Sequence, residues 1–511
     1  MRWLSSAMER RDYTFADLDV QSNRFANVLT GLGFVPGEVF FTFLPRMPEQ
    51  FFSFLGALKI QAITGTLFSN FGEEALLDRV GAAGAKGIVT KKGYLRKLAA
   101  IRDKLPALRY ILLVDVPEHL SADVLSYPRL IAEAASDFTV SPTGPDVPSV
   151  LHYTSGSTGK PKGVLHAHRS VKMQSLTATE VLGLRDDDVF WCTADQGWVT
   201  GTSYGIIAPW SLGITQVHFG GGYNVEHWFS LLEREQVSVW YTAPTALRML
   251  MREDESLLRR FDLASLRHIC SVGEPLNPEV MAWAKRVLGK DVYDTWFQTE
   301  TGAIMIANSP GCVLRPGSMG QPVMGIEPAV LADDGAPLSD GEPGNLCLRT
   351  GWPSMFITYL GNEPAYRSKF RDGYYYTGDT AWRDADGYFW FRGRSDDVIN
   401  TAGHLVSPFE VESALIEVPE VAEAGVVGVS DELLYERVIA FVSLHRQLEF
   451  APELELKIRL HVSNKLSSVA IPHEIICLDA IPKNKSGKIM RRVLKARYLG
   501  TDAGDLSTLE E

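Results

Sequence analysis

The sequence predicts an α/β fold: a large N-terminal domain of doubly wound sheets, a small β-rich subdomain, and a small C-terminal α/β domain. Three observations carry this expectation. Short apolar runs alternate with helical patterns as far as about residue 340, as they do where helices wrap a largely parallel sheet. From Gly341 to Phe391 the runs shorten and turn residues crowd between them. Beyond that, about a hundred residues return to mixed helix and strand, enough for a further small domain.

The elements follow in order. Tyr13-Thr14-Phe15 reads as a short strand entering a helix that runs through Ala26-Asn27-Val28-Leu29. Val39 to Leu44 reads as a strand and Pro48 to Leu58 as a helix. Gly87-Ile88-Val89 and Tyr110 to Val114 are further strands, and Ser141-Pro142-Thr143-Gly144-Pro145 is a linker. Ser149 to His152 and Val164 to His166 are buried strands on either side of a glycine-rich stretch. Val189 to Cys192, Val237 to Tyr241 and Ile269 to Val272 are also buried strands, each ending in polar, glycine or proline residues. Ligands gather at such carboxyl ends in open α/β sheets, so one shared crevice is expected. Asn345 to Leu348, Gly373 to Tyr376 and Gly387 to Trp390 are the short strands of the subdomain. Pro408 to Leu415 is an amphipathic helix, and Val421 to Val429 pairs with Val438 to Val442. The last dozen residues are polar and acidic, a composition expected to stay disordered.

At 511 residues the chain is too long for one core. A net charge of −12, without a basic arm, argues against a nucleic-acid or anionic-membrane binder. No apolar run reaches a membrane span, and the N-terminus lacks a signal-peptide core. The five cysteines are far apart with no Cys-x-x-Cys pair, and Cys192, Cys270 and Cys347 sit in apolar runs. Buried structural thiols in a reducing cytoplasm fit this usage.

Chemistry concentrates in a few stretches. Tyr153-Thr154-Ser155-Gly156-Ser157-Thr158-Gly159-Lys160-Pro161-Lys162-Gly163 holds three glycines, four Ser/Thr hydroxyls and two lysines. Glycines let backbone N–H groups approach an anion, and lysines add charge. A generic Gly/Ser run is usually a surface hairpin; two lysines around Pro161 and a buried strand on each side favour a polyphosphate loop. It is not a Walker A loop, because Pro161 argues against a helix opening after Lys160. The other stretches are Asp294-Thr295-Trp296-Phe297-Gln298-Thr299-Glu300-Thr301-Gly302, Tyr376-Thr377-Gly378-Asp379, Gly393-Arg394-Ser395-Asp396-Asp397, and the basic run Pro482 to Arg492.

Together these stretches resemble the signatures of the adenylate-forming superfamily, which comprises acyl-CoA synthetases, peptide-synthetase adenylation domains and luciferases. The resemblance extends over nearly the full chain and is strongest to the AMP-forming acetate–CoA ligases. It implies an AMP-binding domain over 1–394, a hinge at 395–397 with Asp396 as pivot, and a mobile C-terminal domain over 398–499. It implies ATP, CoA and Mg²⁺ as cofactors. Lys488, Glu300 and Thr154 are the implied catalytic set, with Glu300 the Mg²⁺ ligand. Thr154 to Lys160, Gly273-Glu274-Pro275, Asp294 to Thr299, Asp379 and Arg394 are implied in nucleotide binding. An ionised Asp379 would accept both ribose hydroxyls, and Trp296 would lie against adenine. Lys488 would neutralise charge that builds during adenylation; in the family this lysine is also a target of acetylation, which removes its charge.

Ala194 to Gly201 resembles the segment that lines the acetate pocket, so Trp198, Val199, Thr200 and Val272 are expected walls, with Phe297 closing the end where acetate ligases carry tryptophan. Such walls share their composition with ordinary cores. Thr200, Ala402 and Gly403 are implied along the CoA path. The chain departs from the pattern at Leu405 and Ser463, where acetate-type enzymes carry arginines; Lys465, or Arg96 and Lys97, are candidate substitutes. Tyr13-Thr14-Phe15 normally lies well inside such proteins, so a preceding segment is expected. The expected function is activation of acetate or propionate and transfer to CoA. The alternatives are a medium-chain or aromatic acyl-CoA ligase and a non-catalytic nucleotide-binding protein on the same fold.

Overall fold

The computed structural model describes residues 1–155, 161–395, 397–401, 404–431, 434–445, 448–484, 487–504, 506 and 509. The chain forms two compact units. The first comprises Met1–Tyr241, Phe297–Ile304 and Gly351–Ser368; the second comprises Thr242–Trp296, Met305–Thr350 and Lys369–Glu511.

The first unit holds an eight-stranded sheet in the order Thr358–Tyr359, Pro161–Ala167, Pro148–Ser155, Ile63–Thr66, Val39–Thr42, Gly87–Thr90, Tyr110–Leu113 and Val124–Ser126. The last five strands are parallel, while Pro148–Ser155 and Pro161–Ala167 pair antiparallel. Alternation along each strand sends successive side chains to opposite faces. Phe40, Val89 and Leu112 pack with Phe25, Leu29 and Ala57 of the helices Phe15–Gly31 and Pro48–Lys59. Phe41, Ile88 and Leu113 enter a separate core on the other face. Both faces are therefore apolar, and the strands read as continuous hydrophobic runs. A second group of strands in this unit runs Val239–Thr242, Val189–Cys192, Thr215–Phe219, Arg2–Leu4 and Arg10–Asp12.

The segment Tyr13-Thr14-Phe15 differs from its expectation as a strand. The strand here is Arg10–Asp12, and Thr14 caps the helix Phe15–Gly31. The Thr14 side chain accepts from the Asp17 amide at 3.1 Å, and the Asp17 carboxylate accepts from the Thr14 amide at 2.8 Å. That reciprocal pair satisfies two amides that an extended entry would leave unbonded.

In the second unit His268–Ser271 and Val292–Trp296 run parallel, with Ile306–Ala307 and Gln321–Pro322 added antiparallel. A five-stranded antiparallel sheet contains Pro328–Leu331, Gly344–Arg349, Phe370–Arg371, Tyr374–Arg383 and Phe389–Arg394, the expected β-rich portion. Near the C-terminus Val421–Asp431 pairs antiparallel with Tyr435–Leu444, and Glu474–Cys477 adds in parallel. Val438, Ala440 and Val442 face one core while Ile439 and Phe441 face another. Ser407 accepts from the Glu410 amide at 3.2 Å and so starts the helix Pro408–Ile416.

Cys192, Cys270 and Cys347 are buried, as their apolar contexts require, and all five cysteines are unbridged. Among the described residues no helix is long and apolar enough to cross a membrane.

Candidate functional site

In the second unit the ends of two parallel strands carry the stretches expected to bind nucleotide. Ser271 lies opposite Asp294 in register. Its hydroxyl donates to Asp294 Oδ1 at 2.6 Å, and Thr295 Oγ1 donates to the Ser271 carbonyl at 2.7 Å. Asp294 is buried, and burial pushes its carboxyl up to about 7 against the pull of the Ser271 hydrogen bond. Asp294 and Thr295 thus use their side chains to fasten the strand pair that presents Trp296.

The Trp296 indole donates to Asp379 Oδ2 at 3.1 Å, and Arg394 Nη1 donates to Asp379 Oδ1 at 2.9 Å. Asp379 and Arg394 face one another across the antiparallel strands Tyr374–Arg383 and Phe389–Arg394. Gly378 precedes the carboxylate at φ +78°, and a Cβ there would stand 3.1 Å from Arg394 Nη2, so glycine fits both backbone and neighbour. Asp379 is only 4% exposed.

Lys488 belongs to the same electrostatic group. Its amide donates to Asn484 Oδ1 at 2.9 Å, and its carbonyl accepts from the Asn484 amide at 2.9 Å, closing a tight loop. The side chain reaches solvent. The walls around it nevertheless lower its pKa by desolvation, and Arg394 repels it further; Asp379 and Asp397 oppose both. A cation that feels both a guanidinium and two carboxylates is suited to a polyanionic ligand.

Gly273, at φ +92°, is exposed, whereas the Glu274 carboxylate is committed elsewhere. It pairs with Arg248, the two side chains being 6% and 7% exposed, and accepts from the Thr245 amide at 3.1 Å. Val272 is buried in this unit.

The first unit holds the remainder of the motif. Glu300 Oε1 accepts from the Tyr359 hydroxyl at 2.8 Å, and Lys162 Nζ lies 5.4 Å from the centre of the Tyr359 ring. Thr154 is half-buried opposite Lys162 on the antiparallel pair. Donors from four directions hold the backbone around Glu300. His166 Nε2 bonds the Thr299 carbonyl at 2.7 Å, and Gln174 Nε2 bonds that of Gly302 at 3.0 Å. Trp352 Nε1 and Ser354 Oγ bond the Thr301 carbonyl at 3.0 and 2.6 Å. Burial holds the His166 imidazole down to about 4, so it is neutral and donates from Nε2.

Phe297 packs edge-on against Tyr204, with ring centroids 5.6 Å apart and planes at 78°. The Tyr204 hydroxyl is itself fixed by Thr177 at 2.7 Å and the Ile304 amide at 2.8 Å. Trp198 caps the short helix Val199–Thr202 and meets Phe68 at 4.9 Å; Val199 and Thr200 are buried.

Gly156, Ser157, Thr158, Gly159, Lys160, Asp396, Ala402 and Gly403 lie outside the described residues, as do the side chains of Ser155 and Leu405. Ser463 is half-buried in the helix Pro452–Lys465. Of the candidate substitutes for the absent arginines, Lys465 pairs with Glu417 at 2.8 Å and Lys97 donates to the Phe71 carbonyl at 2.8 Å. Both are already engaged.

Sequence reasoning passed over Thr245, Arg248, Tyr204, Tyr359 and His166. Only Thr245 and Arg248 carried a signal: they follow the strand end Ala243-Pro244 three residues apart, on one helix face.

An AMP-binding enzyme family model matches residues 3–360, and an AMP-binding enzyme C-terminal domain model matches residues 410–488. The acetyl-coenzyme A synthetase of Bacillus subtilis is 45% identical over 511 residues, covering 100% of this chain and 89% of that protein. The acetyl-coenzyme A synthetase of Pyrobaculum aerophilum is 38% identical, covering 98% of this chain and 80% of that protein. The crystal structure of an anthranilate CoA ligase in complex with anthranoyl-AMP is similar at a TM-score of 0.90 and 30% identity, covering 98% and 94% of the two chains.

Proposed function

This chain belongs to the AMP-binding enzyme family, and from that premise we propose that it is an AMP-forming ligase that joins acetate or propionate to CoA. A carboxylate is a poor electrophile because oxide is its leaving group. One carboxylate oxygen attacks the α-phosphorus of ATP, the bond to the bridging oxygen breaks, and pyrophosphate leaves. The CoA thiol, having lost its proton, then attacks the acyl carbon, and AMP leaves with the C–O bond electrons. The observation that carries this reading is the grouping of Lys488 with Asp379 and Arg394. That electrostatic coupling supports a cation acting near the proposed ribose carboxylate, where charge would develop at the α-phosphate.

Asp379 would hold the ribose, Trp296 the adenine, and the loop from Thr154 to Lys160 the phosphates. Among the described residues Glu300 accepts one side-chain hydrogen bond, at Oε1, so its other oxygen would be the one to hold a Mg²⁺ ion, a hard cation suited to carboxylate oxygen. When bound, that ion would neutralise phosphate charge. Trp198, Val199, Thr200 and Phe297 would contact the acid, Val272 is proposed for the same role, and Thr200, Ala402 and Gly403 are proposed for CoA. The C-terminal domain, residues 398–499, would turn about Asp396 between the two steps. Acetylation of Lys488 by a lysine acetyltransferase would remove its charge and stop the first step, and a deacetylase would restore it.

The test is product analysis with ATP, Mg²⁺, acetate and CoA. AMP, pyrophosphate and acetyl-CoA are expected in equal amounts, and none without acid. ADP as the nucleotide product, or turnover independent of acid, would exclude the reading.

A further inference from the structure

The helix Pro244–Met251 begins directly after a strand and turns Thr245 and Arg248 to one side. Arg248 Nη2 donates to Thr245 Oγ1 at 2.6 Å and also to Glu274 Oε2. Arg248 Nη1 donates to Asn277 Oδ1 at 3.2 Å, and the other oxygen of Glu274 takes the Thr245 amide. All these groups are buried or nearly so. A buried ion pair contributes little net stability, because desolvation offsets the attraction; what this one fixes is the orientation of the Thr245 hydroxyl. Arg248 occupies an acceptor site on Oγ1, which leaves the single hydroxyl proton to be donated. It goes to the carbonyl of Gly487, 2.9 Å away.

Gly487 is shaped to this seat. Its φ is +86°, and a Cβ would stand 2.5 Å from Thr245 Cβ and 2.7 Å from Glu274 Oε1. No side chain fits without displacing both. The next residue is Lys488. A second anchor lies nearby, where Glu423 takes Lys483 at 2.5 Å and Arg252 at 3.3 Å.

We propose that Thr245, oriented by Arg248 and Glu274, is a positioning residue that seats Gly487 and so sets Lys488 for adenylation. The proposal rests on the reading of Lys488 given above. Thr245 acts only when the loop is docked, so its hydroxyl contributes to the first half-reaction and not to the second.

Thr245→Val removes the hydroxyl and keeps the shape; Thr245→Ser keeps the hydroxyl. In acid-dependent exchange of pyrophosphate into ATP, the valine variant is expected to lose about tenfold in kcat, the equivalent of one well-made hydrogen bond. Its KM for ATP and acid should stay within about twofold, thioester formation from supplied acyl adenylate should be unchanged, and serine should restore exchange. Hydrogen–deuterium exchange at residues 487–490 should quicken in the valine variant alone. Equal losses in both half-reactions, or wild-type exchange at 487–490, would overturn the seat. Absence of acid-dependent exchange in the unmodified protein would instead refute the functional reading, while deuterium exchange would still judge the seat.

Discussion

Trp296 donates its indole N–H to Asp379 at 3.1 Å, tying the end of a parallel strand to a carboxylate on an antiparallel sheet. Asp379→Asn replaces an acceptor with a donor that faces Trp296 or Arg394. Hydrogen bonds to charged groups contribute about 1.5–3 kcal/mol, so KM for ATP should rise by about tenfold or more, with KM for the acid nearly unchanged. Trp296→Phe keeps a flat apolar face and should cost less. Steady-state kinetics with ATP varied would show this; an unchanged KM for ATP in the asparagine variant would remove Asp379 from the nucleotide site.

Lys488 feels the charges of Arg394, Asp379, Asp397 and Arg491, and its proposed work is confined to the first step. Lys488→Ala should abolish adenylation and largely spare conversion of supplied acyl adenylate to thioester. Measuring both half-reactions separately decides it, and equal losses would contradict the assignment.

Stability should depend on pH through groups of opposite sign. Burial pushes His152 down to about 3 and His166 to about 4, from an ordinary 6.5. Between roughly pH 4 and 6.5 the unfolded chain therefore takes up protons that the folded chain refuses, and the stability they contribute is lost as pH falls through that window. Asp294 acts the other way. Its carboxyl, raised from 3.8 to about 7, keeps a proton in the folded state that the unfolded chain releases. Its contribution is present at low pH and lost as pH rises toward 7. Asp294→Asn should consequently be most damaging near pH 4.5 and progressively less so up to pH 7.5. Urea midpoints across that range measure this; a constant difference would mean that Asp294 titrates normally.

Much of the fold was legible because buried strands read as short apolar runs between helical patterns: Phe40 and Phe41 each enter an apolar core, one on either face of the sheet. The start of the helix Phe15–Gly31 was misread because the Thr14–Asp17 capping pair outweighs the β preference of Tyr13 and Phe15. The family was legible where its motif residues are contiguous, as in Asp294 to Gly302. The Thr245–Arg248–Glu274 seat was not, since Thr245 and Gly487 are 242 positions apart and each is an ordinary residue type. His166 was passed over for the same reason: a single histidine in an apolar strand carries no pattern, and its bond to Thr299 exists only in three dimensions.

On the proposed reading Phe297 closes the acyl pocket, and the edge contact with Tyr204 holds its ring. Phe297→Gly should open that end. Each added methylene buried there contributes about 0.8 kcal/mol at most, or up to about fourfold in kcat/KM per carbon. Acetate should lose, since a small acid in an enlarged cavity is poorly positioned. Phe297→Trp should sharpen the preference for acetate over propionate.

The most direct measurement is kcat/KM for AMP-forming thioester synthesis with straight-chain acids of two to eight carbons and with benzoate, on the unmodified protein and the glycine variant. A maximum at acetate or propionate that moves to longer acids in Phe297→Gly is the predicted result. A maximum at six or more carbons or at benzoate in the unmodified protein, or a profile that Phe297→Gly leaves unchanged, would contradict the short-chain assignment.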